Sequence, residues 1–421
     1  MRAFSIVTLG ICLLFCTYAQ GVRPRYTLTD LGPIGPAGQV LYIAGNGLVA
    51  GALQQPDNTD HAALFYGRQR LDLSMPGIGG KNSLAYGVNI FGHAVGGAET
   101  DRPDPGLVDF CGFKTLGLSS GGAVCAAYVW QNGIMTKLPT LGGNNGSSTQ
   151  INTWGVISGE AENMSPDPGC PQRYEFKPVK WQGGKIVQLA TYPEDPDGVA
   201  YAINDAGQVV GSTGRCAPYN PNFQLAMVPA HPMLWEADGT PRYLGTLGGT
   251  GNNPNTANLA ININNSGHVV GTSALAGDET GHAFLWTREK GMFDLGTLPG
   301  DFASGAIAIS DGEQVCGISI GPNGPRAFVW QNGSMSDLNA LIRPTSLHLL
   351  FASAMNASGE IAGIGVDTRN GEVHGFLATP LPRDGSGQED AARLFRMEDV
   401  RRVLEQLRPL SRHGIRFAPG W

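Results

Sequence analysis

A twelve-residue motif returns seven times along this chain, and no other feature constrains the fold as strongly. Its clearest copy reads Ala260-Ile261-Asn262-Ile263-Asn264-Asn265-Ser266-Gly267-His268-Val269-Val270-Gly271. The closing glycine falls at Gly51, Gly96, Gly159, Gly211, Gly271, Gly317 and Gly363, in steps of 45, 63, 52, 60, 46 and 46 residues. A period near fifty, built from short apolar runs and glycine turns, predicts β-blades set around an axis rather than one irregular domain.

Each unit holds four short apolar runs, A to D. Run A is of the Asp-Leu-Gly type, as in Asp30-Leu31-Gly32 and Asp294-Leu295-Gly296, and run B ends in Ile-Asn or a relative. Run C is of the Val-Val-Gly type, and run D is clearest as His282-Ala283-Phe284-Leu285-Trp286. Such runs, rich in β-branched and aromatic residues and bounded by Gly and Asn, predict four strands per unit. B joins C through Asn-x-x-Gly, as in Asn204-Asp205-Ala206-Gly207, and D joins the next A through links as short, twice Gln-Asn-Gly at 131–133 and 331–333. Both are hairpin signals whose glycine takes positive φ. The A–B and C–D connections vary freely. Strands that alternate in direction sort all this variation onto one face, where repeat folds often carry function.

A D–A hairpin also places D and the following A in one sheet. The chain opens with an A run at 26–32 and its repeats end with a D run at 374–378. The expected fold is therefore all-β. It is a seven-bladed β-propeller of four-stranded blades over 26–380, closed by pairing of its N- and C-terminal strands. An open solenoid fits less well, because a period near fifty is long for one coil and no polar capping units are evident.

The ends differ in composition. Residues 1–19 read as a secretory signal peptide: Arg2, an apolar stretch at 6–15, then Thr17-Tyr18-Ala19 as a small-residue cleavage site. That stretch is shorter than the roughly 20 residues a spanning helix needs, so no integral membrane span is expected after cleavage. Residues 381–388 form a polar linker, and 389–421 a helical tail with an apolar stripe at Leu394, Met397, Val400, Val403, Leu404 and Leu407. Without Arg2 the chain has 27 basic and 35 acidic residues, a net charge of −8. An acidic surface repels phosphate backbones and argues against nucleic acid. Together these features predict a secreted or periplasmic protein.

Five cysteines lie beyond the leader, and export permits disulfides. The C–D connections of units two to four are long, at 100–124, 163–177 and 212–230, and with the start of one D run they hold Cys111, Cys125, Cys170 and Cys216. The favoured pairs are Cys111–Cys125, closing a local loop, and Cys170–Cys216, linking loops of neighbouring units. Cys316, within a C run, is expected to be a buried free thiol.

Other candidates have plain structural readings. His61, His231, His282 and His374 share one place in four units. They would converge on a metal only if strand D lined the axis, so packing or hydrogen bonding within each blade is expected. Trp130, Trp181, Trp235, Trp286 and Trp330 recur in register as blade-packing residues before sugar platforms. Asp195-Pro196-Asp197-Gly198 and the segments 103–106 and 166–169 offer oxygens of the kind Ca²⁺ takes, but Asp bounded by Pro and Gly is an ordinary turn signal. No spaced His-Glu metal motif or Gly-x-Ser-x-Gly elbow occurs. No metal, cofactor or catalytic residue is assigned. The Asn-x-Ser sequons at Asn145, Asn163, Asn264, Asn332 and Asn356 read as products of Asn- and Ser-rich turns.

The run His282–Trp286, followed by Gly291-Met292-Phe293-Asp294-Leu295-Gly296-Thr297-Leu298, resembles the HAF-repeat family of extracellular bacterial proteins. The likeness extends from about Tyr26 to Pro380, with departures at Ser310 and Glu313 in the sixth turn, Ala44 in the first, and Phe65 and Ala378 at the Trp position. It implies secretion and a repeat-built β architecture. It carries no activity, so no catalytic residue transfers. The expected function is a non-enzymatic binding module using the variable-loop face of units two to four for a glycan, an envelope component or a protein. The alternative is an enzyme acting on extracellular polysaccharide, a hydrolase or lyase with carboxylates on that same face.

Overall fold

A computed structural model describes residues 26–381 apart from 36–38, 75–76, 107, 115, 171, 217–226 and 252–255. The expected signal peptide and C-terminal helix lie outside the described residues. What is described is a seven-bladed β-propeller: seven antiparallel sheets, each of four strands, with one short 3₁₀ turn at Leu338–Leu341. Blades I to VI span 39–72, 79–137, 146–188, 197–243, 259–296 and 303–337. Blade VII combines 347–380 with strand A at Tyr26–Pro33, which pairs with strand D so that Tyr26 faces Pro380. From axis to rim each sheet runs B, C, D, A. No helix among the described residues is long and apolar enough to cross a membrane.

The recurring glycine has a steric cause. Every strand B carries a β-bulge at one place, at Leu41, Tyr86, Thr149, Tyr201, Ile261, Ile307 and Ser353. A bulge bends its strand and re-aims a side chain. It also pushes the carbonyl two residues earlier towards strand C. A Cβ on Gly271 would lie 1.7 Å from the Leu259 oxygen and 3.0 Å from the Phe284 ring. Gly96 and Gly317 are confined the same way, by Leu84 and Tyr128 and by Gly305 and Phe328. Bulge, glycine and the aromatic of run D are one packing unit.

The recurring asparagine serves two purposes. Within its own turn the side-chain oxygen accepts backbone N–H groups, as Asn152 does from Trp154 and Val156 at 3.1 and 2.9 Å. Its amide meanwhile donates to the equivalent carbonyl of the next blade: Asn89 to Asn152, Asn152 to Asn204, Asn204 to Asn264, Asn264 to Ser310 and Asn356 to Ala44. These bonds form a belt around one mouth of the ring. Asn145, Asn264 and Asn356 are buried and bonded, so three of the five sequons sit in structural roles. At the sixth turn Glu313 takes the positive φ of 59° that glycine holds elsewhere, such as 78° at Gly267.

Apolar side chains form one cluster at each of the seven blade interfaces. Two further clusters sit above blades I–II and III–IV, under the long loops. Trp181 and Trp235 are buried and donate their indole N–H to Pro139 and Ala190 carbonyls at 2.8 and 2.7 Å. The long connections are shorter than the sequence suggests. Strand C reaches Pro103, Pro166 and Cys216 in blades II to IV, and strand D starts at Ala123, Tyr174 and Met227. Backbone pairing there continues beyond the apolar runs into polar residues, so these blades stand taller than the others.

Candidate functional site

Strand B, not strand D, lines the axis. The bulged residues therefore turn their side chains into the central space: Tyr86, Thr149, Tyr201, Ile261, Ile307 and Ser353 all border one cavity of about 350 Å³. It lies towards the long-loop face. A second, smaller space of about 190 Å³ lies at the asparagine belt. Tyr42, Gln150 and Asn262 border both and pinch the axis between them. The constriction is braced, because Gln150 bonds the Tyr42 phenol and its Oε1 accepts the Ile203 N–H at 2.8 Å.

The upper wall comes from the tall blades. Phe110 stands beside Cys111 and meets Phe176 edge-to-face, with centroids 6.1 Å apart and planes at 89°. Phe176 packs with Cys170, Val199 and Met227. Cys111 is bonded to Cys125, and Cys170 to Cys216, so both staples anchor this aromatic wall. The Cys111 loop also leans over blade I, where Asn58 donates to the Gly117 carbonyl at 2.9 Å.

Among the described residues, one carboxyl borders the cavity. Glu160 follows the recurring Gly159, and among the described residues its side chain makes no hydrogen bond or ion pair. It is enclosed by the ring yet keeps accessible surface, because it faces the cavity. Desolvation, with the charges of Asp197 and Glu162 close by, pushes it up to about 8. Burial raises the Tyr86 and Tyr201 phenols, and the Glu160 charge adds to both.

Asp197 and Asp60 are fully buried and pushed up to about 7 by desolvation. Asp197 accepts the Phe176 and Cys216 N–H groups, whereas both Asp60 oxygens lack a partner among the described residues. Each of these acids keeps its proton in the folded protein where the unfolded chain has lost it. Their contribution is thus fullest below about pH 4 and is lost as pH rises to about 7 or 8. Asp60→Asn is expected to raise the melting temperature at about pH 8 and to change it little at about pH 4. A melting-temperature profile in which the variant tracks the native chain at both ends would remove Asp60 as a source.

The other candidates do not converge. His61, His282 and His374 each bond the aspartate of the neighbouring strand A, at 2.7 Å to Asp72, 2.9 Å to Asp294 and 2.8 Å to Asp30. His231 instead bonds Asp195 at 2.7 Å and stacks on Tyr192 at 3.8 Å. In blade VI, Arg326 pairs with Asp337 in the same way. Asp104 and Asp167 accept turn N–H groups from Gly106 and Gly169. Ligand atoms of Asp167, Cys170, Asp197 and Cys216 lie within 4.8 Å of one another, but the two sulfurs are joined to each other and offer no thiolate. Cys316 is a buried free thiol raised above its usual range by burial.

The cavity residues were not singled out by the sequence, although signals exist. Tyr86 and Tyr201 stand where units five and six have Ile261 and Ile307. Glu160 stands where other units have Ala52, Gly97, Ser212, Thr272, Ile318 and Ile364.

Fold and cavity thus define a stapled seven-bladed propeller with a ligand-sized space on its axis. No family model matches the chain, and no curated protein matches it. Among solved structures it is similar to the dipeptidyl peptidase 4 of Porphyromonas gingivalis, at 10% identity, TM-score 0.39, and coverage of 86% of this chain and 62% of that one. It is also similar to a mutant of the Aleuria aurantia lectin in complex with Fucα1-6GlcNAc, at 8% identity, TM-score 0.32, and coverage of 85% and 100%. The chain spans less than two thirds of the peptidase. At these values neither neighbour's chemistry transfers to this chain.

Proposed function

We propose that this protein is an exported, non-enzymatic binding module that takes the end group of a glycan or envelope component into its axial cavity. The observation that carries this reading is the lining. Tyrosines and phenylalanines alternate with short polar groups such as Thr149, Gln150 and Asn262, and one carboxyl, Glu160, stands among them. A concave space lined by aromatic and aliphatic side chains with a few polar groups is the usual form of a ligand site, and about 350 Å³ falls at the small end of the roughly 300–1,000 Å³ range. Glycoside hydrolysis commonly needs two flanking carboxyls, and among the described residues Glu160 is the one carboxyl lining the space. The two disulfides fit an oxidising compartment.

The test is a thermal-shift screen against soluble glycans and envelope head groups, with product release followed in the same samples. A ligand at about a hundred times its dissociation constant adds roughly 2.7 kcal/mol of stability. Ile307→Trp, which fills the cavity from its bulge, is expected to abolish that shift while the ring stays folded. Shifts that survive Ile307→Trp place the ligand elsewhere; accumulating products turn the assignment to an enzyme.

A further inference from the structure

The cavity pairs five aromatic side chains with one carboxyl that has no counter-charge among the described residues. Tyr42, Tyr86, Tyr201, Phe110 and Phe176 line it together with Glu160, and among the described residues no Lys, Arg or His does so. The other ionisable groups acting on Glu160 are acidic: Asp197 and Glu162. Asp109, beside Phe110, adds negative charge near Tyr86. An uncompensated carboxyl in such a place is costly to ionise, so burial pushes Glu160 up to about 8. A positive charge on the ligand would relieve that cost, and an apolar skin around that charge would suit the aromatic walls. Aromatic rings attract cations through their quadrupole, and alkylated ammonium groups suit such cages because little hydration has to be stripped.

We propose that the cavity takes an organic ammonium group, held among the Tyr and Phe rings with the Glu160 carboxylate as its counter-ion. This rests on the binding-module reading above and names the chemistry of the ligand's end group. Binding is then coupled to ionisation. Below about pH 8 the entering cation displaces the Glu160 proton to solvent, so affinity falls as pH falls. Tyr42, Tyr86 and Tyr201 stay neutral throughout, because burial raises all three phenols.

The experiment is a calorimetric titration of the full chain with choline chloride and with its uncharged carbon isostere 3,3-dimethylbutan-1-ol. Choline is expected to bind at least about tenfold more tightly than the isostere at about pH 8. At about pH 7 its binding should release protons, seen as a heat that depends on the buffer. Glu160→Gln is expected to bring choline down to the isostere's level and to end the proton release. Equal affinities for the two compounds, or full choline affinity in Glu160→Gln, would overturn the proposal. Neutral glycans that shift the melting temperature when choline does not would also overturn it, while leaving the binding-module reading intact.

Discussion

Gly271→Ala is expected to destabilise the propeller by about 3 kcal/mol or more, the largest effect of any single methyl group added to strand C of blade V. The new Cβ would lie 1.7 Å from the Leu259 oxygen and 2.8 Å from its carbonyl carbon, and both belong to backbone that the bulge at Ile261 holds in place. Neither wall can rotate away. The Phe284 ring, 3.0 Å distant, closes the remaining side. Gly277→Ala is the control. Its φ of 95° strains an alanine, but nothing stands within 4 Å, so about 1 kcal/mol is expected. Urea unfolding of both variants measures the difference. Equal costs would mean that the recurring glycine answers to backbone conformation and not to the bulge.

Removing the Cys170–Cys216 bridge with paired serine substitutions is expected to cost about 4 kcal/mol, since the bridge closes 46 residues of chain. The same treatment of Cys111–Cys125, separated by 14 residues, should cost about 3 kcal/mol. The more telling readout is the ligand. Phe176 and Met227 pack against Cys170, so the larger bridge holds part of the cavity wall. Its loss is expected to weaken ligand-induced stabilisation while far-UV circular dichroism keeps the ring's strand signal. Ligand shifts that persist unchanged would reduce the bridge to a guard against fraying of the long loops.

Much of this architecture can be read from the chain. Seven copies of one motif, four runs per copy and two kinds of short turn dictate a closed ring. Asn132 and Asn332, at φ 52° and 51°, with Gly133 and Gly333 at 79° and 78°, adopt the hairpin conformation that Gln-Asn-Gly implies. Of the four histidines of run D, His61, His282 and His374 find partners inside their own blades, and His231 finds Asp195 in the connection that leads into its blade. The cavity is less legible for a specific reason. A strand's alternation tells which side chains share a face only while the register is unbroken, and one inserted residue reverses it. Each strand B contains such an insertion. The inward turn of Tyr86 and Tyr201 therefore has no mark in the alternating pattern. Glu160 does stand out beside its counterparts. That it faces an enclosed aromatic space depends on blade III meeting blade IV, which no single repeat encodes. The asparagine belt is similar, because the turn explains Asn152 locally while its partner, the Asn204 carbonyl, lies in the next unit.

The pairing of Tyr26 with Pro380 has a directional consequence. Strand D descends away from the long loops, so the described chain enters at Tyr26 and leaves beside it at Pro380, on the rim of blade VII at the asparagine-belt face. The cavity mouth looks the opposite way. Whatever is joined to either point, be it a surface, a partner or an affinity tag, stands behind the ring like a handle behind a cup. A protein held by that rim would offer its open side to the surrounding medium.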